Sequence, residues 1–330
     1  MAALADRRRI NGPSGGTSAP IFARIVKEPG YLQSLRPSRT RGPNELRKIF
    51  LQTGIVPSAS GSAYLEIPSE LPSKTTLIPS SSSLKLSCSI QGPKPLPRSA
   101  PFSPSLLLTT TVKFAPFATR TRRGYIRDSV ERDLGVHLET ALRGVIIAER
   151  WPKSGVEVVV TVIEGDEDGW WGDDFSAKRG SGGGSGSGWG LLNVLAGCIT
   201  VASAAIADAG IDCVDLVSGG VAAIVRNPRS RGDDVVKILD PNPSEHQDVV
   251  AACAVGYLAG RDEITELWMK GDVGPDPDQL VDGATHAAVG SLSVLREVIL
   301  EAVEAKFKGP ATEGDSLKRK SPSQDVEMGG

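Results

Sequence analysis

Residues 191–207 read Leu-Leu-Asn-Val-Leu-Ala-Gly-Cys-Ile-Thr-Val-Ala-Ser-Ala-Ala-Ile-Ala, and Asp208-Ala209-Gly210 closes the run. Asn193, Thr200 and Ser203 interrupt it and no basic residues flank it, so the pattern predicts a helix buried on most sides rather than a membrane span. Gly210 marks its end. Working outward, Val156–Ile163 (Val-Glu-Val-Val-Val-Thr-Val-Ile) is a continuous β-branched run and is expected to be a central strand. Between 127 and 148, Val130, Leu134, Leu138, Leu142 and Val145 recur every three or four residues, which predicts an amphipathic helix.

Upstream, Leu84, Leu86, Cys88 and Ile90 alternate with polar residues as a half-buried strand does, and 108–114 is expected to pair with it in an early meander. Downstream, 213–225, 235–239, 248–258 and 263–270 read as strands, with Ala259-Gly260-Arg261-Asp262 as a hairpin turn. A last helix over 276–308 uses Ala288, Leu292, Leu295, Ile299 and Val303. The order strands, helix, strand, helix, strands, helix gives an α+β class, mixed sheet packed with helices, in one domain of about 270 residues.

The chain has 330 residues, 40% of them hydrophobic, enough to bury a core. Four cysteines (Cys88, Cys198, Cys213, Cys253) form no C-x-x-C pair, and three histidines (His137, His246, His286) have no metal-ligand spacing. No metal, cofactor or disulfide framework is expected, and a reducing compartment fits. The net charge of −2 conceals a split: residues 1–127 carry 19 Lys and Arg against 5 Asp and Glu, whereas the other 203 carry 18 against 34. A polyanion-facing half beside an acidic half is one reading, and two solvated faces is the other.

Residues 1–40 form a basic arm rich in Arg, Gly, Pro and Ser, and 309–330 a polar tail that includes Lys318-Arg319-Lys320-Ser321-Pro322; both compositions predict disorder. A Pro-rich insertion over 91–105 and a Gly/Ser-rich insertion over 179–190 are expected as loops within a domain spanning 41–308. The glycines at 180–190 lack the Lys-Ser/Thr that a phosphate-cradling loop needs, and no dinucleotide fingerprint, nucleophile elbow or zinc-protease helix occurs. The acidic run Glu164–Asp168 with Asp173 and Asp174, around Trp170-Trp171, lacks the glycine and terminal Glu of an EF-hand and is expected to be an exposed loop. His137 is expected at the surface.

Arg41-Gly42-Pro43-Asn44-Glu45-Leu46-Arg47-Lys48-Ile49, followed by Gly61-Ser62-Ala63-Tyr64-Leu65-Glu66, resembles the opening of RNase PH-like proteins. Further matches follow in the family's order: Gln91-Gly92-Pro93-Lys94, Phe114-Ala115-Pro116-Phe117-Ala118, and Ile206-Ala207-Asp208-Ala209-Gly210-Ile211 before Asp215-Leu216-Val217. The resemblance covers about residues 38–308 and is greatest to ring subunits of the eukaryotic RNA exosome core. It implies an RNase PH-like fold (ribosomal protein S5 domain 2-like) and assembly into a closed ring around an RNA channel. Active members degrade RNA from its 3′ end by phosphorolysis.

Such members grip phosphate with a Gly-Gly-Thr/Ser-Arg turn at the start of the buried helix. The matching positions here fall near Asn193-Val194-Leu195, without Arg or hydroxyl. They also carry Leu-Asp and, six residues on, a second Asp. Here Leu239-Asp240 leads to Glu245-His246, although a shifted alignment would bring Ser203 or Asp248 nearer. The resemblance therefore implies no catalytic residues. Loss of one donor from such an anion site costs about two to three orders of magnitude in rate.

The resemblance assigns RNA contact to Arg120, Arg122, Arg123 and Lys113; the alternative is a solvated loop or an ion pair with a neighbour. The resemblance assigns Arg41 and Arg47 to subunit packing near the ring, with direct RNA contact as the alternative. Implied partners are other RNase PH-like ring subunits, cap subunits with RNA-binding folds, an associated ribonuclease and single-stranded RNA, with no membrane. The implied locations are nucleus, nucleolus and cytoplasm. An active phosphorolytic exoribonuclease completed by a partner chain, and an RNA-binding protein outside any ring, remain the competing readings.

Overall fold

The computed structural model describes residues 36–68, 83–119, 122–168, 170, 188–226, 235–246, 248–274 and 276–308. Of the arm expected to be disordered over 1–40, residues 1–35 lie outside the described residues, as do 309–330, most of the Gly/Ser-rich insertion, Asp173, Asp174 and Arg120; residues 36–40 are described, and Arg36 and Arg39 donate to the carbonyls of Ser244 and Asp240.

Among the described residues, nine strands and three α-helices follow in the order β1 (Phe50–Thr53), β2 (Gly61–Ile67), β3 (Leu84–Pro95), β4 (Leu107–Phe114), α1 (Ser129–Arg143), β5 (Ser154–Glu164), α2 (Gly190–Asp208), β6 (Val217–Arg226), β7 (Val235–Leu239), β8 (Val249–Leu258), β9 (Glu263–Gly271) and α3 (Pro277–Lys308). The strands form a five-stranded sheet, β1-β2-β3-β5-β4, and an antiparallel four-stranded sheet, β7-β6-β8-β9.

Helix α2 lies between the two sheets, which is why it has no polar face: sixteen of its nineteen residues are buried. Its three uncharged polar residues, Asn193, Thr200 and Ser203, are held inside. Thr200 donates to the Ala196 carbonyl and accepts the Gly219 N–H, and Ser203 accepts the Val217 N–H. Ser203 therefore sits in the C-terminal half of α2, bonded to β6 and away from the helix N-terminus. Gly210 closes the helix at φ 69°, in the left-handed region where glycine carries no Cβ penalty.

The adjacent glycines of β6 reveal the third interface. A Cβ on Gly219 would lie 2.1 Å from the Ala196 carbonyl oxygen of α2, and one on Gly220 would lie 2.2 Å from the Ala284 carbonyl oxygen of α3. Successive strand residues face opposite sides, so β6 is clamped between two helices at backbone contact distance.

Strand β5 is central, as its composition predicts: Val156, Val158, Val160 and Val162 are buried. Two expectations need correction. First, β4 pairs in parallel with β5, not with β3, because β5 inserts between them. Second, β3 continues through Pro93 to Pro95, where a register shift lets the prolines follow the bulged strand, so the Pro-rich loop starts only after residue 95. Helix α1 begins on a capping box: Asp128 accepts the Glu131 N–H at 2.9 Å and Glu131 accepts the Asp128 N–H at 3.2 Å.

Candidate functional site

Four pieces of chain converge at the N-terminal end of α2: the entering segment 36–47, the loop after β5 (Asp166–Asp168), the first turns of α2, and the turn after β7 (Asp240–His246). Arg47, only 5% exposed, reaches Asp240 with two prongs, Nε to Oδ2 at 2.9 Å and Nη2 to Oδ1 at 2.7 Å. The Arg47 backbone N–H donates to the same carboxylate at 2.8 Å. Nη2 also reaches Asp166 Oδ2 at 3.1 Å. Asn193, one turn into α2, donates its amide to Asp166 Oδ2 at 2.8 Å and to the Pro241 carbonyl at 2.7 Å.

Arg41 adds a second cation, meeting Asp240 Oδ2 at 3.2 Å and Glu245 Oε2 at 3.1 Å. Arg36 and Arg39 hold the turn after β7 through its carbonyls, Arg36 Nε on Ser244 at 2.9 Å and Arg39 Nη2 on Leu239 at 3.0 Å. Asp240 itself takes φ 47°, a left-handed conformation that Asp tolerates better than most residues.

Burial alone would raise the Asp240 carboxyl, but the charge and hydrogen bonds of Arg47, with the charge of Arg41, hold it well below the usual carboxylate range. Burial opposes the Arg47 charge too, and Asp166 and Asp240 overcome it, so the guanidinium stays ionised. His246 is pushed down to about 4 by burial and by the charges of Arg39, Arg41 and Arg36, and is neutral at physiological pH.

Asp168 performs a separate task. Its Oδ2 accepts the Gly188 N–H at 2.6 Å and its Oδ1 the Gly190 N–H at 3.0 Å. A helix N-terminus gathers unsatisfied N–H groups and a partial positive charge, and so attracts anions. Here the chain's own carboxylate takes that place.

The expected exposed acidic loop is thus overturned at its centre: Asp166 is 5% and Trp170 1% exposed. Asp166 is buried because Arg47 and Asn193, 119 and 27 residues away, bond its carboxylate. Within the chain, Arg41 and Arg47 are bonded to Asp240, with Glu245 and Asp166 as further partners. His137 is partly covered: Nδ1 lies 2.8 Å from Glu266 Oε1 and the ring stacks on Trp268 at 4.6 Å. Among the described residues no group of three or more His, Cys, Asp or Glu side chains is placed to hold a metal ion.

The basic loop lies apart, between β4 and α1. Arg122 is exposed. Arg123 meets Asp128 at 2.6 Å and covers the Phe114 ring at 4.7 Å, and Lys113 meets Glu131 at 2.9 Å. Both carboxylates belong to the α1 capping box, so Arg123 and Lys113 fasten the loop to the helix while Arg122 faces solvent.

A sequence profile of the 3′ exoribonuclease family, domain 1 (RNase PH) matches residues 45–212, which include Arg47 at the end of the entering segment and all of α2. The chain belongs to the RNase PH family. Within it, the chain is 50% identical over 305 residues to a protein of Chaetomium thermophilum named exosome complex component MTR3, across 91% of this chain and all of that one. The namesake from Schizosaccharomyces pombe is 30% identical over 82% of this chain and 86% of its own length. The crystal structure of rice Rrp46 shares the RNase PH fold with a TM-score of 0.57 at 17% identity, covering 79% of this chain and 98% of that one.

Proposed function

We propose that this RNase PH-family chain is an MTR3-type ring subunit of the RNA exosome that performs no phosphorolysis of its own and supports 3′ to 5′ RNA processing and degradation, including rRNA maturation and mRNA turnover. The likeness to MTR3 proteins over nearly the whole chain supports the ring assignment. The non-catalytic reading rests on one observation: two carboxylates of the chain occupy the place where a phosphorolytic member needs an anion. Asp168 takes the Gly190 amide that opens α2 and the Gly188 amide just before it, and Asp166 takes Arg47 and Asn193. A phosphate dianion entering there would meet like charge instead of a cationic cradle.

The implied role is architectural and RNA-guiding. Other RNase PH-like subunits would flank the chain, cap subunits with RNA-binding folds would sit above it, and a separate ribonuclease would receive the RNA, in nucleus, nucleolus and cytoplasm. Helix α2 is long and apolar enough to cross a membrane, but its apolar surface is consumed between the two sheets, which supports a reading without membrane insertion. Exposed Arg122 supports single-stranded RNA contact through the basic loop, where Arg120, Arg123 and Lys113 would add positive potential.

Incubating the full chain, alone and with its ring partner, with oligo(A), Mg²⁺ and phosphate tests the catalytic half. The expected result is no release of nucleoside diphosphates attributable to this subunit, and no change in release from an Asp240→Asn complex shown to remain folded and assembled. Release that is lost on that substitution with the assembly intact would establish the enzyme reading.

A further inference from the structure

We infer that one tightly held water molecule occupies the junction of Arg47, Asp166 and Asn193, accepting a hydrogen bond from Arg47 Nη1 and donating one each to Asp166 Oδ1 and Asn193 Oδ1. All three atoms are buried without a protein partner, on side chains that are themselves 95% buried or more. Buried polar groups are rarely left unpaired, and three in one cluster point to a shared ligand.

Covalent geometry brings them together. Nε and one side of Nη2 face Asp240; the other guanidinium edge carries Nη2 and Nη1 side by side and faces Asp166, whose Oδ2 takes Nη2 at 3.1 Å. Nη1 shares its carbon with Nη2, and Oδ1 shares its carbon with Oδ2, so each is two bonds from an atom of that contact, and they do not bond each other. The amide of Asn193 donates to the same Oδ2 and to the Pro241 carbonyl. That fixes its orientation, since a flipped amide would turn its oxygen against two acceptors.

Nη1 brings two N–H groups, one of which reaches the water, and the two acceptor oxygens take its two protons, within water's capacity to accept two hydrogen bonds and donate two. A cation would face the Arg47 guanidinium and an oxyanion would face the Asp166 carboxylate, so a neutral ligand able both to accept and to donate fits best. Space adjoins the junction: Arg47 and Asn193, though not Asp166, border a cavity of about 40 Å³, with Thr200 and Asp240 also in its wall. One water needs only ~10–15 Å³. Such a molecule ties the entering segment, the end of β5 and the first turn of α2 to one point, whatever the chain's place in a ring.

High-resolution crystal structures of the full chain in its assembly, one soaked in sulfate and one in rubidium bromide, test this directly. The expected result in both is a spherical water peak about 2.6–3.2 Å from all three atoms without anomalous signal. In solution, oxygen-17 magnetic relaxation dispersion is expected to lose one long-lived water in Asn193→Leu relative to the parent chain. A direct bond between Nη1 and Oδ1, no peak beside unpaired atoms, a rubidium, bromide or sulfate peak there, or an unchanged water count in a folded Asn193→Leu chain would overturn the inference.

Discussion

Arg47 and Asp240, 193 residues apart in sequence, form a two-pronged ion pair that the Arg47 backbone N–H reinforces on the same carboxylate. The pair joins the entering segment to the second sheet, at the end of β7. A buried guanidinium needs its counter-charge, and removing one partner leaves the other stranded. Asp240→Ala is therefore expected to lower the unfolding free energy by about 3–5 kcal/mol. The exposed pair Lys94–Glu157 provides the control, since Lys94→Ala is expected to cost no more than about 1 kcal/mol. Urea denaturation of both variants checks the contrast.

Stability is expected to rise with pH through the acid range. His246 has its folded-state value lowered to about 4, so below the unfolded value near 6.5 the unfolded chain binds the extra proton and the folded state loses ground as pH falls toward 4. The upper bound of this contribution is about 3 kcal/mol. Asp240, also depressed, adds stability that is present above about pH 4 and lost below it. In His246→Gln the slope between pH 6.5 and 4 is expected to flatten while the drop below 4 persists. A slope unchanged by the substitution would contradict the assignment.

The glycine pair of β6 makes a steric prediction. Gly219→Ala and Gly220→Ala each place a Cβ 2.1–2.2 Å from a helix carbonyl oxygen, and each is expected to prevent accumulation of folded chain. Gly124→Ala, with nothing within 4 Å of the new Cβ, is expected to shift stability by no more than about 0.5 kcal/mol. Thermal melts and soluble yield of the three variants read the difference.

The layered core was legible because its signals are local. An apolar run without a polar side can only be a helix covered on both faces, and the valines of β5 announce a central strand. The partner of β4 was not legible, since alternation says which side of a strand is buried but not which strand lies beside it. The polar junction was half legible. Arg41, Arg47, Asp240 and His246 stood out through a family motif, but Asp166 and Asp168 sit in an acidic stretch whose composition reads as solvated. Their burial depends on Arg47, Asn193 and the Gly188 and Gly190 amides, which only the fold brings near. Asp168 does leave a faint trace: an acidic residue before a glycine-rich stretch that opens directly into an apolar helix can cap it across the loop.

The capping box of α1 links stability to the basic loop. Asp128→Ala removes the acceptor of the Glu131 N–H and the partner of Arg123, and is expected to cost about 1–2 kcal/mol. Lys113→Gln unpairs buried Glu131 and is expected to act mainly on stability, whereas Arg122→Glu is expected to leave the melt unchanged, weaken RNA crosslinking in a reconstituted assembly and reduce its salt slope by about 1. Equal losses of crosslinking from Lys113→Gln and Arg122→Glu would contradict this division of labour.

The account stands on the chain's own carboxylates having taken the anion position at the head of α2. Thermal unfolding of the full chain, followed as inorganic phosphate replaces chloride at constant ionic strength, measures this most directly. The account predicts a midpoint that does not move. A saturable rise, reaching about 2.7 kcal/mol of added stability at a hundredfold excess over Kd and vanishing in Arg47→Gln, would contradict it.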